Sequence, residues 1–142
     1  MAWTIRPMTI TDYPAVLDLM KRTPGVSIRA TDSPKDTARF LQRDPGLSFV
    51  AFTDGLLISC VQSSHDDWRG FMQHLAVDTA HRRQGIANAL VKHCLDALAA
   101  ADVFHINLDV FRNNAQAKAY WVKHDWTLRD DVERFSLIRT PH

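Results

Sequence analysis

The sequence has too few cysteines for a disulfide framework. Only Cys60 and Cys94 occur, with no CxxC spacing, so a reduced, cytoplasmic setting is the simplest expectation. The first residues, MAWTIRPMT, lack the charged region and apolar run of a signal peptide. No apolar run approaches the roughly 18 residues that a membrane-spanning helix requires. We therefore expect neither secretion nor a membrane partner.

An excess of charge of one sign is also absent. The chain has 17 lysines and arginines against 16 aspartates and glutamates, for a formal net charge of +1. This balance gives no reason to expect nucleic acid as a partner. Seven histidines are present, the last of them His142, but none belongs to an HExxH, HxH or Cys/His set at ligand spacing. We therefore expect no bound metal.

The hydropathy pattern predicts one domain, residues 1–142, with strands and helices interspersed. Of the 142 residues, 46% are hydrophobic, enough to bury a sizeable core. The predicted elements are a strand at 3–6, a helix after Thr11 or Asp12, a loop at 23–33, a helix at 34–42, strands at 48–53, 56–63 and 70–77, a helix at 84–100, a strand at 104–110, a helix at 115–124 and two strands within 126–138. The order β-α-α-β-β-β-α-β-α-β-β indicates an α/β fold with a mixed sheet and helices on both faces.

The stretch HRRQGIA, residues 81–87, lies where a predicted strand ends and the longest predicted helix begins. The start of a helix presents unpaired N–H groups that favour a phosphate, and Gly85 allows an anion to approach closely. Arg82 and Arg83 add positive charge. A capped helix start with two surface arginines explains this heptapeptide equally well. The Walker A pattern and the GxGxxG fingerprint are both absent, which argues against a nucleotide-binding protein.

Two motifs in order resemble the GNAT superfamily of acyl-CoA-dependent N-acetyltransferases. RRQGIA has the form R-x-x-G-x-A after a strand that ends in Leu75-Ala76-Val77. About thirty residues on, NNAQAKAYW (113–121) is similar to the helix N-x-x-A-x-x-[FY]-Y of that family. Within it the chain resembles a branch of small bacterial proteins that carry Phe-Trp and Gly-Trp at two later positions, here Tyr120-Trp121 and Asp125-Trp126. The element order matches the GNAT fold over nearly the whole chain.

The resemblance implies a site for acetyl-CoA as the cosubstrate. In this family the fourth and fifth strands splay apart, and the pantetheine arm lies between them like an added strand. The residues that match the cofactor positions form three groups: Leu75, Ala76 and Val77 for the pantetheine amides; Arg82, Arg83, Gln84, Gly85, Ile86 and Ala87 for the pyrophosphate; and Asn114 for the cofactor arm.

The resemblance also implies direct attack of an amine on the acetyl carbonyl, with help in proton transfer. The tyrosine that often acts as the family's acid aligns best with Trp121, whose indole does not titrate usefully. A one-residue shift would put Tyr120 at that position, but it would misplace Ala117 and Trp126, so we favour Trp121. Strict strand alternation places Phe71, Gln73 and Leu75 on one face of the fourth strand and Met72, His74 and Ala76 on the other. Family bases commonly come from the first face, which offers only Gln73. As a substitute base we therefore expect a water chain that ends at His65, Asp66 or Asp67 in the preceding loop. We expect His74 to be a packed strand residue.

The expected function is transfer of an acetyl group from acetyl-CoA to a primary amine. A small molecule is mildly preferred to a protein N-terminus as the acceptor, because no peptide-docking patch is visible. Since family members are often dimers and the sheet has exposed edges, a homodimer is plausible. The alternative is a non-catalytic acyl-CoA-binding module, which Trp121 and the lack of an evident base favour.

Overall fold

The arrangement of helices and strands follows the predicted order as far as the last helix. A computed structural model describes residues 2–140, so His142 lies outside the described residues. The elements are β1 Thr4–Pro7, α1 Tyr13–Lys21, α2 Pro34–Arg43, β2 Phe49–Thr53, β3 Leu56–His65, β4 Gly70–Val77, α3 Ile86–Ala100, β5 Ile106–Leu108 and α4 Ala115–Lys123.

The five strands form one mixed sheet in the order β1-β2-β3-β4-β5. Strands β1 to β4 are antiparallel neighbours, and β5 joins β4 in parallel. Asp54 and Gly55 connect β2 to β3 with φ of 50° and 76°, the left-handed backbone that a tight hairpin requires. The predicted hairpin and the predicted mixed α/β class are therefore confirmed.

Helices α1 and α3 pack on opposite faces of the sheet. On β3, Cys60 belongs to the buried cluster that contains Val16 and Leu19 of α1. Ser63 lies three residues further along β3 and donates a hydrogen bond to the Leu47 carbonyl. The same carbonyl also accepts a hydrogen bond from Cys94 of α3. Because side chains alternate along a strand, Cys60 and Ser63 face opposite sides. The core of α3 consists of Ile86, Leu90, Val91, Cys94 and Leu98, all buried.

The described residues divide into two compact units. The first ends at Asp109 and holds the sheet with helices α1 to α3; the second starts at Val110 and holds α4 with the segment after it. The expectation of a single domain stays a prediction. No helix in residues 2–140 has both the length and the apolar character needed to cross a membrane.

The two strands expected within 126–138 are not formed, and that prediction is wrong. Residues 126–140 contain no strand, and Phe135, Leu137 and Ile138 are each at least 86% exposed. A strand is stabilised by a paired neighbour and one buried face, and this segment has neither within the described part of the chain. The five charged residues between positions 129 and 134 interrupt the apolar alternation that would create such a face.

Strand β5 is also shorter than the 104–110 expected, because it pairs with only the first three residues of β4. Gly70 allows this close approach, since a Cβ there would lie 3.1 Å from Cγ1 of Ile106. The Gly70 N–H also donates to the carbonyl of His105, with an N–O distance of 2.9 Å. The start of β4 is thus held against β5, and the rest of β4 is not.

Candidate functional site

The sheet opens between β4 and β5. Gly70, Phe71 and Met72 pair with Ile106, Asn107 and Leu108, and the ladder then stops. From Gln73 to Val77, no strand within residues 2–140 lies along the β5 side of β4. An unpaired strand edge can take main-chain hydrogen bonds from an extended ligand. The opening therefore lies along the backbone of Leu75, Ala76 and Val77, the residues matched to the pantetheine arm.

A β-bulge lies at the start of this opening. On β3 only Val61 separates Cys60 from Gln62, whereas two residues of β4 separate their partners Ala76 and Gln73. The two residues of β4 that stand opposite Val61 are His74 and Leu75, and His74 has φ of +55°. Two residues opposite one is the defining count of a bulge, which bends the strand and turns a side chain.

The bulge overturns the strict alternation expected for β4. Cys60 and Gln62 are two residues apart on β3 and share a face, so their partners Ala76 and Gln73 share it as well. Alternation had placed Gln73 and Ala76 on opposite faces. The expectation fails because the bulge inserts one residue, which exchanges the two faces for every residue after it.

The turn after β4 leads into the N-terminus of α3. Asp78 begins the turn, and its side chain accepts the N–H of Ala80 at 2.9 Å and a guanidinium hydrogen bond from Arg22 at 3.1 Å. The bond from the Ala80 N–H contributes most to a lowered pKa of Asp78, and the Arg22 bond adds to it. A negative charge is thus fixed where the turn starts.

Gly85 is the N-cap of α3, with φ of +81° in the left-handed region. A Cβ added to Gly85 would meet no atom within 4 Å, so open space lies beside this backbone. Arg82 and Arg83 are exposed, and neither forms an ion pair within the described residues. The first N–H groups of a helix have no acceptor inside it and carry partial positive charge. This end of α3 can therefore receive an anion.

A histidine–aspartate pair with little exposure lies at the bulge. Nε2 of His74 is 2.8 Å from Oδ1 of Asp32, and the two side chains are 12% and 9% exposed. Asp32 ends a short 3-10 turn, Ala30–Asp32, in the segment expected to be an irregular loop. Tyr13, the first residue of α1, donates its hydroxyl to the Asp32 carbonyl.

Sequence reasoning missed this pair because forty-two positions separate its members. The sequence pattern indicates only that His74 is a packed strand residue, and nothing in it connects His74 to Asp32. One signal was available: a histidine in the middle of a strand of mostly apolar residues needs a polar partner once it is buried.

The structure does not bring Gln73 and His65 together. Gln73 donates its amide to Oε1 of Gln62 at 2.9 Å, and Gln62 is itself buried. His65 pairs with Gly70, at the end of β4 that is closed against β5. A strand rises about 3.3 Å per residue, so Gly70 and Gln73 lie about 10 Å apart along β4.

His65 and Asp66 each have a partner in the turn after β3. Nδ1 of His65 accepts the Asp67 N–H at 2.9 Å, and Oδ1 of Asp66 accepts the N–H groups of Arg69 and Trp68. These backbone hydrogen bonds, that of Arg69 foremost, lower the pKa of Asp66. The observed contacts are those of a closed polar turn, and a catalytic role for either residue stays a prediction.

In the second unit, Asn114 is the N-cap of α4. Its side-chain oxygen accepts the Ala117 N–H at 3.1 Å, which leaves the amide NH₂ group for another acceptor. Tyr120 and Trp121 contact edge to face with ring centroids 5.0 Å apart, and Trp121 contacts Trp126 in the same way. Burial raises the pKa of Tyr120. The cofactor and catalytic roles expected for Asn114, Tyr120 and Trp121 stay predictions.

No group of three or more histidine, cysteine, aspartate or glutamate side chains that could hold a metal occurs in the part of the chain that the structure describes. Cys60 and Cys94 are both buried as free thiols, and burial raises the pKa of each to about 12. Neither thiol therefore ionises readily to form a nucleophile at neutral pH.

Comparisons with known proteins agree with this geometry. The sequence model of the acetyltransferase (GNAT) family matches residues 13–126. An acetyltransferase of Sodalis glossinidius is 30% identical over 129 residues, which cover 90% of this chain and 89% of that protein. The solved structure of the ribosomal-protein-S18-alanine N-acetyltransferase of Escherichia coli is 27% identical, with a TM-score of 0.71, and the match covers 87% of this chain and 76% of that one. The structure of a PaiA N-acetyltransferase from Thermoplasma acidophilum in complex with coenzyme A shares the fold at 16% identity, with a TM-score of 0.76 and coverage of 87% and 89%.

Proposed function

The chain belongs to the acetyltransferase (GNAT) family and is an acetyltransferase of that type, and we propose that it transfers the acetyl group of acetyl-CoA to a primary amine. One observation carries the choice of donor. The opening between β4 and β5 runs along Leu75–Val77 towards the N-terminus of α3, where Gly85 leaves open space. An extended amide-containing arm with a phosphate group at one end has the chemistry that fits both features.

The pantetheine arm would bind along the open edge of β4. Its amides would exchange hydrogen bonds with the backbone of Leu75, Ala76 and Val77 as an added strand does. The pyrophosphate would then lie against the turn that contains Arg82 to Ala87. Backbone N–H groups at the start of α3 would hold it, with Arg82 and Arg83 supplying charge-assisted contacts.

The chemistry is attack of a neutral amine on the thioester carbonyl. A backbone N–H in β4 would stabilise the oxyanion that forms in the tetrahedral intermediate. A lysine-like amine has a pKa of about 10.4 and is mostly protonated at neutral pH, so it must lose a proton first. The leaving thiol has a pKa of about 8.5 and departs as a thiolate without strong acid help.

The acceptor class stays a proposal. A small amine is mildly preferred to a protein N-terminus, since the sequence shows no peptide-docking patch. The Escherichia coli neighbour is named for an alanine of ribosomal protein S18, and we keep a protein N-terminus among the candidate acceptors. The homodimer and the cytoplasmic location also stay predictions.

Thiol release tests this function. We expect the protein to release free CoA thiol from acetyl-CoA in the presence of at least one member of a panel of amines. The panel contains an alkyl monoamine, a diamine, α-amino acids and short peptides with a free N-terminus, each assayed between pH 7 and 9. Tight acetyl-CoA binding without turnover of any amine would contradict the enzyme function and support a non-catalytic acyl-CoA-binding module.

A further inference from the structure

The carboxylate of Asp32 is held in one orientation beside His74. Its Oδ2 atom accepts the N–H of Arg29 at 2.8 Å, while its Oδ1 atom lies 2.8 Å from Nε2 of His74. The Tyr13 hydroxyl fixes the backbone of the same residue. Both carboxylate oxygens therefore have a partner, and the one that faces the imidazole is not free to rotate away.

This contact determines which nitrogen of the ring holds a proton. A carboxylate has only acceptor atoms, so the Nε2 atom that faces Asp32 carries the hydrogen. In a neutral imidazole the other nitrogen, Nδ1, then has the lone pair. Nδ1 of His74 has no hydrogen-bond partner within residues 2–140, and it is not among the buried unpaired polar atoms. The ring is thus prepared to accept a proton from outside the protein.

The position of His74 in the fold matches this property. Met72 is the last residue of β4 that pairs with β5, and Leu75 is the first residue expected to contact the pantetheine arm. His74 lies between them, in the bulge, with a positive φ that costs free energy in any residue other than glycine. A bulge turns a side chain out of the regular alternation of its strand, and here the turned side chain is the one that contacts Asp32.

We propose that His74 is the general base of the acetyl transfer and that Asp32 is its positioning residue. The proposal rests on the function proposed above. Nδ1 of His74 takes a proton from the ammonium group of the acceptor, and the neutral amine attacks the acetyl carbon. The C–N bond forms, the C–S bond breaks, and the second amine proton ends on the CoA thiol. The imidazolium then returns its proton to solvent, so each turnover releases one proton.

Asp32 stabilises the imidazolium while the proton is on His74. The other groups that face the pair do not compete for this proton. Cys60 donates from Sγ to the His74 carbonyl and is a neutral thiol, since burial raises its pKa to about 12. The Tyr13 hydroxyl donates to the backbone of Asp32. The charge change on proton transfer is therefore confined to the imidazole and the Asp32 carboxylate.

The kinetic test replaces His74 with asparagine, which tolerates a positive φ and cannot accept a proton. With the fastest acceptor of the amine panel, we expect His74→Asn to lower kcat at pH 7.5 by about 10²- to 10⁴-fold, the usual contribution of general base catalysis. The Kd for acetyl-CoA should stay within about twofold, because the backbone that would bind the cofactor is unchanged. The defect should shrink as the pH approaches the pKa of the acceptor amine, which then deprotonates unaided.

The matched control is His93→Asn on α3, an exposed histidine that hydrogen-bonds to the backbone of Ala89. It should leave kcat unchanged. Asp32→Asn retains an acceptor for the Arg29 N–H but loses the charge, so it should lower kcat and shift the acidic limb of the pH profile. Wild-type kcat in His74→Asn at pH 7.5, measured beside an active wild type, would overturn the base and leave the acetyltransferase intact. An inactive wild type would instead overturn the proposed function, and the base assignment with it.

A measurement on the unsubstituted protein covers the case in which the variants fail to fold. Nitrogen-15 spectra of histidine-labelled protein should show His74 with a protonated Nε2 and an unprotonated Nδ1. The opposite tautomer would overturn the proposal whatever the acceptor is.

Discussion

At the residue scale, Gly85 has a backbone conformation that other residue types adopt only with strain. Its φ of +81° costs a residue with a Cβ about 1 to 2 kcal/mol. A Cβ on Gly85 would have no atom within 4 Å, so a side chain there would strain the backbone without a clash. The effect of this strain on stability can therefore be measured separately from the effect of filling the open space on cofactor binding. Gly46 offers the comparison, since it has φ of +83° and equally open surroundings in another turn.

Gly85→Glu should weaken acetyl-CoA binding by at least about tenfold, because it places a negative charge beside the expected pyrophosphate. Gly46→Glu should cost similar stability and leave the Kd unchanged. Isothermal titration of both variants with acetyl-CoA, alongside urea unfolding, checks this. Equal affinity in the wild type and Gly85→Glu would show that the turn does not bind the cofactor.

At the element scale, the Arg6–Asp12 pair fastens β1 to the start of α1. Arg6 donates two hydrogen bonds to the Asp12 carboxylate at 2.7 and 2.8 Å, and the Thr9 N–H donates a third. Burial of Asp12 acts to raise its pKa, but the hydrogen bonds from Arg6 and Thr9 outweigh it and lower the pKa below the usual value. The paired, ionised form is therefore favoured by folding.

A lowered pKa in the folded state gives stability that is present above the unfolded pKa, about 3.9, and lost as the pH falls through the folded value. We expect Asp12→Asn to lower the free energy of unfolding by about 1 to 2 kcal/mol at pH 7, with the loss shrinking as the pH falls through the lowered folded pKa of Asp12. The control is Asp18→Asn. The ion pair between Asp18 and Arg22 is exposed and should contribute little to the free energy of unfolding. Urea unfolding at pH 7 and pH 3 measures both. A loss of equal size at both pH values would contradict the ionic origin.

The bulge in β4 is the other feature that belongs to this scale. One extra residue exchanges the faces of the strand after Gln73 and sets His74 apart from the regular ladder. It begins two residues after Met72, the last residue that pairs with β5, so the strand changes its direction near the point where the sheet opens. A single insertion in one strand thus affects both the opening and the side chain beside it.

At the scale of the whole molecule, cofactor binding should be visible as stabilisation. A ligand that binds only the folded state adds about 2.7 kcal/mol at a concentration of 100 times its Kd. For a chain of this size, that corresponds to a rise in Tm of roughly 5 to 10 °C. We expect acetyl-CoA to raise Tm by several degrees more than equimolar ATP or NAD, because its pantetheine arm has the open edge of β4 to bind. A differential scanning experiment with the three ligands checks this, and equal shifts would contradict a site for acetyl-CoA.

Local patterns predicted most of the elements correctly. The hairpin at Asp54-Gly55, the helix after Gly85 and the strand Gly70–Val77 each depend on turn residues and apolar spacing within a short window. The strands expected at 126–138 failed because a strand also needs a neighbour, and no local pattern supplies one. The short length of β5 has the same cause, since its limits are set by pairing with β4.

The candidate site likewise has one part that a short stretch of sequence predicts and another part that only the fold creates. The sequence alone determined which residues form the turn expected to bind the pyrophosphate, because the glycine, the arginines and the helix start are contiguous in residues 82–87. Only the tertiary structure pointed to the residue that we propose as the base. It brought Asp32 to His74 across forty-two positions and used a bulge to turn the imidazole out of the regular alternation. A contact of that range depends on how two distant segments pack, and a bulge depends on the register of two strands, so neither is encoded in any one stretch of the chain.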